Sequence, residues 1–289
     1  MTRRVHLPVP RADHPRAAQW VTRASLYLVA FIVLAVIIIP VAYAVLGGFR
    51  DTPQLARDPI GLPNPWIVEN YESVLQSGSF WRQLANSTLI ATLTTLFVLP
   101  AASLAAFVIA RFSFRGREAV YTLFTLGLLF PIAVAILPLF VVIRQLELLN
   151  SPLGVALPQA AFTLPLSIVI LRPFFASIPR ELEEAATLDG ASPLRVFWSV
   201  FLPLSRPEMS TIAALTIITS WNAFLLPLVV LTQGDSWTLP IGVTNFSTQY
   251  TTDTARVLAF TSLAMIPALL FYLVAERQFV KGLTGAIKG

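Results

Sequence analysis

Apolar positions in this chain come in runs too long for the helices or strands of a soluble protein. Six stretches, roughly 25–48, 84–110, 118–143, 154–176, 208–232 and 256–276, are dominated by Leu, Ile, Val, Ala and Phe. About 20 consecutive apolar residues carry an α-helix across the hydrocarbon core of a bilayer. The pattern therefore predicts an all-α, polytopic membrane protein with six transmembrane helices. Polar punctuation separates the runs. Gly47-Gly48 closes the first, Arg111 to Arg117 divides the second from the third, and Asn150-Ser151-Pro152 reads as a turn between the third and fourth. Prolines inside the runs (Pro40, Pro100, Pro131, Pro138, Pro165, Pro227, Pro267) free backbone groups that neighbouring helices can satisfy.

Two polar stretches interrupt this pattern. In 49–83, Pro53, Pro59, Pro63 and Pro65 predict an extended first half. Residues 67–83 then suit a short interfacial helix carrying Trp81, with Trp66 and Tyr71 as further anchors at headgroup depth. The second stretch, 180–203, holds four carboxylates (Glu181, Glu183, Glu184, Asp189) between two apolar runs. It must face water, and its order suggests a docking surface. Pro179 suits a first helical turn, and Glu181, Glu183 and Glu184 then sit at the positive end of the helix dipole. Leu182, Ala185 and Ala186 share a face whose small residues allow a partner's backbone close approach. Gly190 reads as the left-handed residue that ends the helix. Ser192-Pro193 reads as the cap and first turn of a second helix. An apolar stripe follows (Leu194, Phe197, Trp198, Phe201), and Leu202-Pro203 is expected to stop it. A helix lying on lipid would favour basic residues on its polar face, so the four acids favour a protein partner.

Composition agrees with the pattern. Of 289 residues, 56% are hydrophobic and 12% charged, against about 25% charged in soluble domains. With no cysteine, disulfides and thiolate metal sites are excluded. The net charge of +5 is explained by membrane orientation rather than by nucleic acid. An even number of spans puts both termini on one side. If that side is the cytoplasm, only Arg50, Arg57, Arg82, Arg144 and Arg256 lie outside and the other fifteen of the 20 basic residues lie inside, as the positive-inside rule requires. The predicted organisation is a cytoplasmic tail (1–24), a membrane domain (25–276) with an external loop (49–83) and a cytoplasmic loop (177–207), and a cytoplasmic tail (277–289). A bacterial inner membrane is the expected location. Ala42-Tyr43-Ala44 has the form of a signal-peptidase site, but the first run exceeds the ~7–15 apolar residues of a signal peptide and is expected to be retained.

Catalytic chemistry is missing. There is no Gly-x-x-x-x-Gly-Lys-Ser/Thr loop and no His-Glu-x-x-His pattern, and both histidines, His6 and His14, fall in the tail. No enzyme activity and no bound cofactor or metal is expected. Arg172, Glu208, Arg256 and Glu276 lie at run ends, where snorkelling suffices. Proton-coupled carriers keep an ionisable group at membrane depth, so movement of a solute would have to be driven from outside the bilayer.

Glu184-Ala185-Ala186-x-x-Asp189-Gly190-Ala191, followed by Phe197 and Leu202-Pro203, resembles the EAA motif of the membrane subunits of binding-protein-dependent ABC importers. Asn70-Tyr71, Asn86-Ser87, Pro138-Leu139-Phe140, Arg172-Pro173-Phe174-Phe175, Trp221-Asn222 and the tail from Lys281 to Gly289 fall in the order of the sugar-importing, maltose-type branch. Ala223 stands where that family often has an acid. The resemblance implies an ABC type I importer fold with a cytoplasmic coupling helix. It also implies a second permease subunit, two cytoplasmic ATPase subunits that hold ATP and Mg, and an extracytoplasmic solute-binding protein. On that resemblance Glu184, Ala185, Ala186, Asp189, Gly190, Leu202 and Pro203 couple to the ATPase, and Gly282, Leu283, Thr284 and Lys288 bring the tail into contact with it.

A sugar needs hydrogen-bond partners for its hydroxyls and a ring for its apolar face. Ser220, Trp221 and Asn222 are the best such cluster, with Thr163, Ser167 and Thr219 nearby. The same groups also serve ordinary interhelical packing. A self-sufficient ion-coupled transporter, and import of a non-sugar such as glycerol phosphate, are the alternative readings.

Overall fold

The computed structural model describes residues 16–248 and 251–287, with side chains described over 23–248 and 251–273. The helices in chain order are α1 (Arg16–Gly48), α2 (Thr52–Arg57), α3 (Glu69–Gln76), α4 (Gly78–Arg111), α5 (Arg117–Gly127), α6 (Ile132–Gln145) and α7 (Pro152–Ser177). They continue with α8 (Arg180–Leu188), α9 (Pro193–Val196), α10 (Leu202–Leu204), α11 (Arg206–Trp221), α12 (Leu225–Val230), α13 (Leu239–Gly242) and α14 (Thr254–Ile287). Among the described residues there is no β-strand, only an isolated bridge between Ser247 and Thr252. The all-α expectation holds.

Four of the six apolar runs form unbroken helices that are long and apolar enough to cross a membrane: Arg23–Gly48 of α1, α4, α7 and Thr254–Leu273 of α14. The third and fifth runs are not single helices. The third is split into α5 and α6, bent by 98°. Pro131 has no N–H to continue the ladder and takes an extended conformation (φ −74°, ψ 129°) at the start of α6. The fifth run is split at Asn222-Ala223-Phe224. α11 stops after 16 residues, about 24 Å at 1.5 Å per residue, short of the ~30 Å hydrocarbon core. Pro40, Pro100, Pro138, Pro165 and Pro267 stay inside continuous helices.

The loop after α1 also departs from expectation. Its first half is not wholly extended, because Asp51 caps α2 by accepting from the Gln54 N–H (2.6 Å) and Pro53 fits the first turn. Trp81 sits in α4 rather than in a separate interfacial helix, and its indole donates to the Leu75 carbonyl (2.8 Å). Tyr71 ties this region to the end of α1 by donating to the Val45 carbonyl (2.7 Å), and burial pushes its phenol up from the ordinary value.

α4 and α7 form the central pair. Lipid is as apolar as leucine, so helices in a membrane associate by close packing and polar contacts rather than by the hydrophobic effect. Ala102, Ala106, Ala156 and Ala160 are buried and let the two backbones approach. At the Arg111 end of α4 an aromatic knot forms: the Phe107 ring meets Phe175, Phe197 and Phe201 at 6.4, 5.2 and 4.8 Å between centroids. Such pairs add roughly 0.5–1.5 kcal/mol each beyond their area. At the Gly78 end, Arg82 pairs with Asp235, and Asn86 donates to the Asp235 and Trp237 carbonyls (2.9 and 3.0 Å). α1 packs on α14 at the edge, and its large apolar side chains from Leu26 to Ile39 are more than half exposed. Lipid would cover such a surface.

Candidate functional site

The polar elbow folds largely as its residues predict. Pro179 is the capping residue (φ −56°, ψ 137°), one position ahead of the first turn expected for it. α8 ends in a Schellman turn: the Ala191 N–H reaches the Ala186 carbonyl (3.0 Å) and the Gly190 N–H the Thr187 carbonyl (2.9 Å). Gly190 sits at φ +78°, and a Cβ there would meet nothing within 4 Å. The demand for glycine is therefore conformational alone. Ser192 Oγ accepts from the Arg195 N–H (3.4 Å), and Pro193 opens α9 as predicted.

The helix does not stop at Leu202-Pro203. It passes through a π-helical turn at Phe197–Phe201, with the Leu202 N–H reaching back to the Phe197 carbonyl, and runs on through Pro203 to Leu204. Proline has no N–H to bond a carbonyl four residues back, and the wider turn absorbs that gap. The expected apolar stripe also divides. Phe197 and Phe201 are buried in the aromatic knot, whereas Leu194 and Trp198 are exposed.

One contact was not anticipated. Arg111, 5% exposed at the end of α4, donates to Glu183 Oε2 through Nε (2.8 Å) and Nη2 (2.6 Å) and to the Ile178 carbonyl through Nη1 (2.9 Å). Its guanidinium lies 5.1 Å from the Phe201 ring centroid. This arginine fixes α8 to the ends of α4 and α7 and to the π-turn. Arg111, Glu183, Arg180 and Glu184 border a cleft of about 520 Å³. Glu184, Ala185, Asp189 and Gly190 are exposed and Ala186 leans on the aromatic knot, so the outer face of α8 is free. Leu188, 88% exposed beside the Gly190 turn, belongs to that face and was missed. Its signal was an apolar residue at the polar end of an acidic helix. The side chains of Leu283 and Thr284, the exposure of Gly282, and Lys288 altogether lie outside what the structure describes.

The Ser220-Trp221-Asn222 cluster is taken apart. Trp221 is buried against Val74, Phe80, Leu239 and Phe260. Asn222 is exposed and its amide donates to the Ile218 carbonyl (2.9 Å); with Trp221 it borders a cavity of about 170 Å³. Ser220 faces a different cavity of about 400 Å³, shared with Thr163 and Thr219. Ser167 is buried and donates to the Thr163 carbonyl (3.0 Å). The residue that organises this larger cavity is Gln159. Its Oε1 accepts from Ser220 Oγ (2.5 Å) and lies 3.1 Å from Thr94 Oγ1, whose one proton it shares with the Ile90 carbonyl (2.8 Å), joining α7, α11 and α4. A lone amide in the apolar run 154–176 was the available signal.

Residues 98–281 match the family described as "Binding-protein-dependent transport system inner membrane component". The chain is 33% identical over 245 residues to the "Diacetylchitobiose uptake system permease protein NgcG" of Streptomyces coelicolor, across 84% of this chain and 81% of that protein. It is 32% identical over 278 residues to the "sn-glycerol-3-phosphate transport system permease protein UgpE" of Escherichia coli O1:K1 / APEC, across 93% and 98%. Its fold superimposes, with a TM-score of 0.77 at 22% identity, on a chain of a bacterial ABC transporter involved in the import of the acidic polysaccharide alginate, covering 93% of this chain and 99% of that one. The matched region contains the elbow and, apart from Thr94, the residues that line the Gln159 cavity, and the chain belongs to the inner-membrane components of binding-protein-dependent transport systems, the membrane permeases of ABC importers.

Proposed function

We propose that this permease imports a neutral carbohydrate, an oligosaccharide, and takes its driving force from a separate ATPase dimer that grips the α8 elbow. The observation that carries this is the construction of the elbow. It is held from behind by Arg111 and Glu183 and closed by a Schellman turn, while Glu184, Ala185, Leu188, Asp189 and Gly190 lie open on its outer face. A rigid element with a bare acidic face suits the transfer of motion from a docked partner. In this reading Glu184 pairs with a basic residue of the ATPase, and Ala185, Ala186 and Gly190 permit close packing. Leu202 and Pro203 back the elbow, and Gly282, Leu283, Thr284 and Lys288 bring the tail to the same partner. ATP and Mg belong to the ATPase. A second permease completes the pathway and a solute-binding protein delivers the sugar. The termini, 1–24 and 277–289, and the 177–207 loop face the cytoplasm of a bacterial cell, and the 49–83 loop faces outward.

The name of the relative NgcG supports a sugar, and the name of UgpE raises glycerol phosphate. A phosphate wants a cation, and among the described residues no charged one lines the Gln159 cavity or the one beside Trp221, which favours a neutral solute. The test is reconstitution in proteoliposomes. ATP-dependent accumulation of labelled N,N′-diacetylchitobiose or maltose, requiring all partners and indifferent to an uncoupler, is expected. Accumulation by this chain alone under a proton gradient would overturn the reading.

A further inference from the structure

The buried apolar side chains form separate clusters, and both broken spans break between two of them. One cluster joins Val98 and Ala106 of α4 and Leu171 and Phe175 of α7 to the elbow aromatics Phe197 and Phe201. The other joins Ile90 of α4 and Val155 of α7 to Ile143 of α6 and Val230 of α12. α5 leans on the first through Tyr121 and Phe124, and α11 enters it through Ile212. The α5–α6 and α11–α12 breaks therefore each part an inner half, packed with the elbow, from an outer half. α4 and α7 run through both clusters unbroken, yet each is weakened on the way. Between Ile90 and Val98, the hydroxyls of Thr92, Thr94 and Thr95 bond the carbonyls four residues back (2.7, 2.8 and 2.8 Å), a pattern that bends helices. On α7, Pro158 lies between Ala156 of the second cluster and Ala160 of the first, and its missing N–H removes a ladder bond. Four spans thus share a weak level between two packed bodies, the layout of a hinge.

α5 needs a tie to the inner body, because it buries no residue of its own. Arg172, near the end of α7, supplies it. Its Nη2 donates to Glu118 Oε1 (2.5 Å), and its guanidinium lies 3.8 Å from the Tyr121 ring centroid. A guanidinium set against a ring and paired with a carboxylate repeats the arrangement of Arg111, Phe201 and Glu183. We propose that Arg172 is a positioning residue for transport: through Glu118 and Tyr121 it makes the half-span α5 travel with the elbow's body, turning about residues 128–131 while α6 stays with the outer cluster. The inference rests on the importer reading given above, which supplies the force on the elbow.

The experiment uses the complete transporter in nanodiscs, with its binding protein and with partner subunits cleared of cysteine. Spin labels on cysteines replacing the exposed Leu123 and Val141 report α5 against α6, and labels at Leu123 and the exposed Ala176 report α5 against the end of α7. Between the nucleotide-free and ATP-vanadate states, the first distance should change by more than about 2 Å, the scale of a rearrangement, and the second should hold. Arg172→Met removes the ion pair and the cation–π contact and should raise the detached population of α5 roughly tenfold. Glu118→Gln removes the pair alone, about a threefold rise; its side chain is 61% exposed, so this variant reports even if Arg172→Met fails to assemble. Uptake of N,N′-diacetylchitobiose or maltose per ATP hydrolysed should fall in both variants, and Arg172→Glu combined with Glu118→Arg should return it toward the wild-type value. A wild-type Leu123–Val141 distance that is the same in both states, with ATPase activity stimulated by the binding protein, overturns the hinge and leaves the importer reading intact. Variants that match wild type in the Leu123–Ala176 distance and in uptake per ATP overturn the role of Arg172. A wild-type complex whose ATPase activity ignores the binding protein overturns the importer reading and this inference with it.

Discussion

Removing the Glu183 carboxylate should loosen α8 without unfolding the protein. Glu183→Ala deletes two charge-assisted hydrogen bonds, at 2.8 and 2.6 Å, and leaves a guanidinium that is only 5% exposed with the Ile178 carbonyl at 2.9 Å as its remaining close partner. Breaking a fully buried pair costs about 3–5 kcal/mol. The Glu183 side chain is 31% exposed, and solvent screening lowers the figure to about 2 kcal/mol, within the ~1.5–3 kcal/mol of a hydrogen bond to a charged group. The loss is local, because α8 buries no residue of its own. A change of ~2 kcal/mol raises the local opening equilibrium roughly thirtyfold. Hydrogen–deuterium exchange of the detergent-solubilised protein should show amides of 183–190 exchanging faster by about that factor, with those of α4 and α7 unchanged. A double-mutant cycle with Arg111→Met should return most of the effect as coupling energy. Unchanged exchange in α8, or equal acceleration in all helices, would refute the clamp.

Gly190→Ala should cost about 1–2 kcal/mol, since φ +78° is disfavoured for a side chain that meets no neighbour; Gly190→Asn should cost less, and thermal melting of the two variants ranks them. Gly242→Ala should destabilise by about 1–3 kcal/mol, because its Cβ would collide with Gln83 Oε1 and the Phe260 ring, and the yield of folded protein in size-exclusion chromatography should fall. Asn150 sits at φ 57° and its Oδ1 accepts the N–H groups of Thr232 and Gln233 (2.7 and 2.9 Å). Asn150→Ala loses these bonds and adds backbone strain, whereas Asn150→Gly loses only the bonds, so the alanine variant should be the less stable by about 1 kcal/mol, as read from melting temperatures.

The elbow could be read from the sequence because its determinants are local. A left-handed glycine, a serine cap and a proline at the first turn act within one or two helical turns, and Gly190, Ser192 and Pro193 do what their chemistry predicts. The two broken spans could not. Hydropathy reports that a run is apolar, not that it is straight. Pro138 and Pro165 lie within continuous helices while Pro131 marks a bend of 98°. The Arg111–Glu183 clamp joins residues 72 apart in sequence, so no periodicity could reveal it. For the same reason the Ser220-Trp221-Asn222 cluster does not face a single cavity. Ser220, Trp221 and Asn222 are adjacent in sequence, but consecutive residues on a helix point in different directions. Ser220 finds Gln159, while Trp221 turns to Phe260 and Leu239.

If work enters through the outer face of α8, cross-linking finds the ATPase there. The chain has no cysteine, so a single Ala185→Cys is the only thiol it contributes. In the assembled transporter, a short bis-maleimide should join position 185 to a cysteine-bearing ATPase subunit. Ile60→Cys, exposed on the loop after α1, should give no such product. Cross-linking of the ATPase to position 60 but not to position 185 would mean that work enters elsewhere.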